Sequence, residues 1–177
     1  MRAVVVYESM YGNTHAVADH IAAGLRAVAD VEVVPVTKAT GALVAGADLL
    51  VVGGPTHVHG MTTERSRTQA AAAAAKSDGE PEMDPDAEGP GLREWFDGLD
   101  VAAGMRAAAF DTRMSGPPVL TGRASRGIAH RLTSHGLELV IAPESFLVDR
   151  ANHLVEGAAE AATQWGAQVG QHALTAS

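Results

Sequence analysis

Ala3-Val4-Val5-Val6-Tyr7-Glu8-Ser9-Met10-Tyr11-Gly12-Asn13-Thr14 passes from an unbroken apolar run into a short polar turn, and this passage decides the fold. A continuous apolar run of strand length suits a strand covered on both faces, as in a parallel sheet. Beyond the turn the apolar residues fall at Val17, Ile21, Leu25 and Val28, the period of a helix, with Asn13 or Thr14 placed to cap its start. Strand, turn and helix in this order make the first half of a βαβ unit.

The pattern repeats along the chain. Val31 to Val36 reads as a second strand, whose Pro35 points to an edge position. A short helix over Gly41 to Ala45 follows. Leu49 to Val52 is a third buried strand, stopped by Gly53-Gly54-Pro55. Met105 to Phe110 and Leu139 to Ala142 read as the fourth and fifth. Helices are expected over Thr68 to Lys76, from Leu92 (with Trp95, Phe96 and Leu99 inward), over Ser125 to His135 with Ser125 as cap, and from about Asn152 to His172. Alternating strands and helices at this spacing predict an α/β fold, a doubly wound parallel five-stranded sheet with helices on both faces, whose ligands sit beyond the carboxyl ends of the strands.

The 177 residues, 46% of them hydrophobic, are expected to form one domain. Between Lys76 and Gly89 there are six acids and one base, which supply -5 of the net -8. This acidic part of an irregular insertion, about 62–90, lacks apolar anchors and reads as a mobile, solvated segment, with docking of a basic redox partner as its functional alternative. A net charge of -8 argues against nucleic acid. No apolar run reaches the roughly 18 residues of a membrane span, and the amino terminus lacks a leader pattern, so a cytoplasmic location is expected. The chain has no cysteine, so redox chemistry requires a bound cofactor.

The first turn, Ser9-Met10-Tyr11-Gly12-Asn13-Thr14, brings hydroxyls, an amide and backbone N–H groups to a helix amino terminus, a composition that suits a phosphate. The alternative is an ordinary capped strand-to-helix turn. Neither G-x-x-x-x-G-K-[ST] nor G-x-G-x-x-G occurs after a strand, which disfavours nucleoside triphosphates and dinucleotides. His57-Val58-His59 could contact a ligand edge, pair on a metal or stand in a solvated loop; a metal is disfavoured because no third ligand lies nearby. A receiver domain lacks support, since Glu8 is the only acid after the first strand.

Val5, Val6, Tyr7, Ser9, Gly12, Thr14, Ala18 and Ile21 resemble the flavodoxin family signature. Gly53-Gly54-Pro55-Thr56 and Ala142-Pro143-Glu144-Ser145-Phe146 extend the resemblance more loosely over the chain. It implies noncovalent FMN, with Ser9, Met10, Tyr11, Gly12, Asn13 and Thr14 on the phosphate. Pro55, Thr56, His57, Val58, His59 and Gly60 would lie along the isoalloxazine, and Asp111, Thr112, Arg113 and Gly116 would flank its other face. Gly60 is the candidate for the glycine peptide near flavin N5. The implied role is electron transfer between protein partners or to a small acceptor such as a quinone, as a carrier or as an NAD(P)H-dependent flavin reductase. The loops differ from electron-carrier flavodoxins in offering His57, Val58, His59, Met61, Thr112, Arg113 and Met114 where tryptophan or tyrosine usually stacks. Such stacking is worth about 0.5 to 1.5 kcal/mol beyond area burial. A flavodoxin-fold interaction module that has lost flavin is the alternative reading.

Overall fold

The computed structural model describes residues 1–57, 59–76, 82–87 and 89–176. Strands β1 (Arg2–Tyr7), β2 (Asp30–Pro35), β3 (Leu49–His57) and β5 (Arg106–Met114) stand in the order β2-β1-β3-β5, all parallel. The fifth position is shared by β6 (Glu138–Leu139), which pairs with Arg106 and Ala107, and β7 (Glu144–Val148), which pairs with Phe110 to Met114. Two-residue β4 (Gly60–Met61) folds back antiparallel on the end of β3.

The sheet divides the core. On one face Val5, Val51, Ala108 and Phe110 meet α1 (Asn13–Leu25) and α7 (Ala158–Thr175). On the other, Val4, Val6, Leu50 and Val52 meet α2 (Gly41–Ala45), α4 (Leu92–Asp97) and α6 (Ala124–Ser134). The predicted inward residues of α1, Val17, Ile21 and Leu25, are fully buried. Here α1 and α7 cross so closely that a Cβ at Gly24 would run into the Thr163 carbonyl, and one at Gly166 into that of Ile21. α3 (Glu64–Lys76) begins four residues earlier than the alanine run announces, and α5 (Pro118–Thr121) is a single turn.

Three boundaries differ from the sequence reading. β3 continues through Gly53-Gly54-Pro55 to His57, and β5 through Asp111 to Met114, because the two ladders extend together, Gly53 opposite Phe110 and Pro55 opposite Thr112. The predicted fifth strand is split: after the Val140 N–H reaches the Ala107 carbonyl at 2.9 Å the ladder lapses until Glu144, and Pro143 has no N–H to donate to it. The last helix starts at Ala158 rather than near Asn152, because Asp149 Oδ1 takes the N–H groups of Ala151 and His153 and closes a separate turn. Among the described residues, no helix is long and apolar enough to cross a membrane.

Candidate functional site

At the carboxyl edge of the sheet β1 ends and the chain turns sharply into α1. Ser9 is buried and its Oγ accepts the Gly12 N–H at 3.1 Å, which fixes the turn. Gly12, at φ 85, is the N-cap residue, a left-handed conformation that any other residue would adopt under strain. Neither Asn13 nor Thr14 caps the helix as expected. The Asn13 amide instead donates to the backbone oxygen and Oδ1 of Asn152, at 2.8 and 3.1 Å, and the Thr14 hydroxyl pairs with that of Thr112 at 2.7 Å. The amino terminus of α1 thus carries no side-chain cap and no acid in its first turn. Its N–H groups and positive dipole end remain available to an anion.

The open helix end forms one side of a shallow cleft of about 150 Å³. Met10, Tyr11, Asn13 and Thr14 line it from the turn, Pro55, Thr56 and His57 from the end of β3, and Thr112, Arg113 and Met114 from the end of β5. Val148 and Asn152 close the far side. Arg113 is buried, and Nη1 donates to the carbonyls of Met114 and Gly116, at 3.3 and 2.9 Å, and to Thr121 Oγ1 at 3.0 Å, so it ties down the loop after β5. A larger cavity of about 550 Å³ lies behind Met10, lined by Arg67 and Met83 among others. The Arg67 guanidinium there is already paired with Glu94, and Glu64 adds a second acid to the lining, so the smaller cleft is the better anion site despite its size.

Residues 5–111, more than half of the chain, match the family model for flavodoxin. The chain belongs to the flavodoxin family. No curated protein matches the sequence. Among solved structures it is similar to a flavodoxin from Bacillus cereus, with 21% identity, TM-score 0.67, and 97% of this chain and 99% of that one covered. It is also similar to a flavodoxin from the domain Archaea, with 20% identity, TM-score 0.65, and 98% and 99% covered. A flavodiiron core from Synechocystis aligns over all of this chain and 37% of its own, at 13% identity and TM-score 0.65. These identities speak for the fold alone.

Within this flavodoxin fold the residues singled out from sequence separate into groups. Met10, Tyr11, Asn13, Thr14, Pro55, Thr56, His57, Thr112 and Arg113 meet in the cleft, while Ser9 and Gly12 shape its turn. Asp111 is fully buried beneath, with Oδ2 accepting the Ser125 N–H at 2.7 Å, and does not line the cleft. Ser125, expected to cap α6, has its own N–H capped by that carboxylate. Gly116 serves through its carbonyl on Arg113. His59, at φ 69, bridges to Gly122, and Gly60 pairs with His57 in the ladder; neither lines the cleft. Val58 lies outside the described residues. Among the described residues, no three histidines and carboxylates come together as a metal site.

Sequence reasoning missed Val148 and Asn152, which come from the far end of the chain with no local signal. It also missed the support beneath the turn. Glu8 is buried; its Oε2 accepts the Leu92 N–H at 2.8 Å and its Oε1 the Thr62 hydroxyl. Arg67 joins Thr62, at 3.4 Å, to Glu94 at 3.0 Å. Burial pushes the Glu94 carboxyl up, but its own N–H, that of Gly91 and Arg67 together bring it below the ordinary carboxylate value.

The acidic stretch is not wholly solvated. Residues 77–81 and 88 lie outside the described residues, but the Asp84 N–H donates to the Met10 carbonyl at 2.8 Å and the buried Asp84 carboxylate meets His15 Nδ1 at 3.2 Å. His15 in turn stacks on Tyr7, with ring centroids 4.4 Å apart. Burial, then the charges of Asp84, Asp86 and Asp19, keep the Tyr7 phenol protonated far above its usual range.

Proposed function

We propose that the protein binds FMN noncovalently in the cleft and works as a flavin-dependent redox protein. The observation that carries this reading is the uncapped amino terminus of α1, whose two first polar side chains are both committed elsewhere. A phosphate monoester is the ligand group that such an end favours, since it takes several N–H donors and a positive dipole end without needing a lysine. In this reading Ser9 to Thr14 hold the phosphate. Thr112 and Asn152 stand where hydroxyls of the linking chain would pass, and Pro55 to His57 and Thr112 to Met114 bound the ring from its two sides. The hydrogen-bond chemistry of these groups fits the ligand.

Bound FMN supplies reversible one- and two-electron transfer. The chain's part is to fix the flavin and to leave one edge open: Met114 at the rim is 48% exposed, and Val119 and Leu120 in the next turn stand further out. An exposed rim serves electron transfer to a protein partner or to a small acceptor such as a quinone. Reconstitution with excess FMN, followed by removal of free ligand, is expected to leave a flavin absorption spectrum with quenched flavin fluorescence; a colourless protein would refute the proposal. For the loaded protein, reduction only through a reductase protein marks a carrier, whereas direct consumption of NAD(P)H with a quinone marks a reductase.

A further inference from the structure

Asp111 is fully buried, and among the described residues no cation forms an ion pair with it. It ends the interior part of β5, opposite Gly54 of β3 and Ser145 of β7. Its Oδ2 accepts the Ser125 N–H in the first turn of α6, but Oδ1 is buried without a partner, and so are the hydroxyl oxygens of Ser125 and Ser145. At this end of the surrounding elements the charged residues are Arg113 on β5, Glu144 on β7, and Arg123 and Arg126 at the start of α6, and His57 ends β3; Arg106, His130 and Arg131 stand toward the far ends of β5 and α6. Arg113 spends its Nη1 on the loop after β5, Glu144 takes the Ser145 N–H, and no charged group contributes to the titration of Asp111. Burial pushes the carboxyl above its ordinary value of 3.8, partly offset by the Ser125 N–H and, less strongly, by the hydroxyls of Ser145, Ser125 and Thr56, which act on the charge without forming a well-aligned hydrogen bond to it.

One residue separates this acid from the cleft. Thr56 lines the cleft, accepts the Ala124 N–H at 2.8 Å, and acts through its hydroxyl on Asp111. A buried charge without a counterion is costly, and a negative charge placed beyond Thr56 makes it costlier. A proton on Oδ1 removes that cost and gives the unpartnered oxygen a hydrogen to donate to a neighbouring hydroxyl.

We propose that Asp111 is the proton-holding residue of the flavin site, taking a proton from solvent when the flavin gains an electron and returning it on reoxidation. The inference rests on the FMN reading. The electron comes from an external donor, dithionite in the test below, and goes to the flavin; the proton comes from bulk water and ends on the Asp111 carboxylate. No bond joins the protein to the flavin.

The test measures midpoint potentials of the FMN-loaded wild type and Asp111→Asn across pH, by dithionite titration against a reference dye. The equilibrium constant for reduction of the wild type should fall more steeply with pH than that of the variant, by about tenfold per pH unit for one additional proton, over a window lying above 3.8. The infrared difference between reduced and oxidised wild type should gain a protonated-carboxyl band that Asp111→Asn lacks. Ser145→Ala, which removes a hydroxyl favouring the carboxylate, should move the window to higher pH, a shift that a merely structural cap would not give. Parallel pH profiles without the carboxyl band overturn the proposal and leave the FMN reading standing; failure of the wild type to take up FMN overturns both. Should Asp111→Asn fail to fold, as judged by circular dichroism, the wild-type band and the Ser145→Ala shift decide.

Discussion

Helices α1 and α6 both begin at the carboxyl edge of the sheet, and their amino termini are treated in opposite ways. At α6, the Ala124 N–H bonds Thr56 Oγ1 and the Ser125 N–H bonds Asp111 Oδ2, so the chain supplies its own acceptors from β3 and β5. At α1, the N-cap is Gly12, no side chain caps the end, and the amide of Asn13 and the hydroxyl of Thr14 turn to Asn152 and Thr112. The physical demand is the same at both, since first-turn N–H groups need acceptors and the dipole favours negative charge. One end meets it internally; the other has no internal acceptor from a side chain. In the proposed reading the open α1 end binds the phosphate and the closed α6 end tunes.

The change expected to break this contrast most strongly is Gly12→Asp, which supplies α1 with the carboxylate it lacks. Like-charge repulsion of about 2.7 kcal/mol against the phosphate corresponds to about 100-fold weaker FMN binding, read by fluorescence titration. Unchanged affinity would mean that the phosphate sits elsewhere. Asp111→Ala makes the reciprocal change at α6. It strands the buried Ser125 N–H and should cost about 2 kcal/mol of stability in urea unfolding, with FMN affinity little altered. Loss of binding without loss of stability would reverse the assigned roles.

A smaller effect is expected from Asn152→Ala. Asn13 would lose the Oδ1 partner but keep the backbone one, so about 1 kcal/mol, or roughly fivefold in FMN affinity, should disappear. An effect on stability alone would place Asn152 outside the site. The last comparison uses pH and the ligand-free protein. Because the folded-state pKa of Asp111 is raised, the folded chain binds more protons; its contribution to stability is complete below 3.8 and is lost as pH rises through the raised value. Unfolding measured against pH should therefore show a decline in the wild type that Asp111→Asn lacks, and coincident curves would show that burial does not govern this acid.

The α1 end was legible in the sequence because every signal for it is local. A strand-length apolar run, a glycine-bearing turn and a helical period lie within Ala3 to Leu25, and the structure keeps that order. The side-chain directions of Asn13 and Thr14 were not legible, because their partners come from Asn152 and Thr112. Likewise Asp111-Thr112-Arg113 reads as loop from polarity alone, yet it is strand, because Ser125 of α6, Thr14 of α1 and the loop after β5 provide the partners that allow polar groups at buried positions. Gly53-Gly54-Pro55 reads as a stop, but the ladder passes through it. A Cβ at Gly53 would collide with the ring of Phe110, so the glycine there answers a packing demand. Glu8 shows the same limit: its role depends on Thr62 and Leu92, supplied by segments more than fifty residues away.

Whether the open end of α1 takes a phosphate is decided by titrating the same preparation with FMN and with riboflavin, which differ only in that group. Both should quench on binding, with FMN tighter by at least about 100-fold, the loss of charge-assisted bonds totalling about 2.7 kcal/mol. Equal affinities, or no binding of FMN at all, would contradict a phosphate at that end.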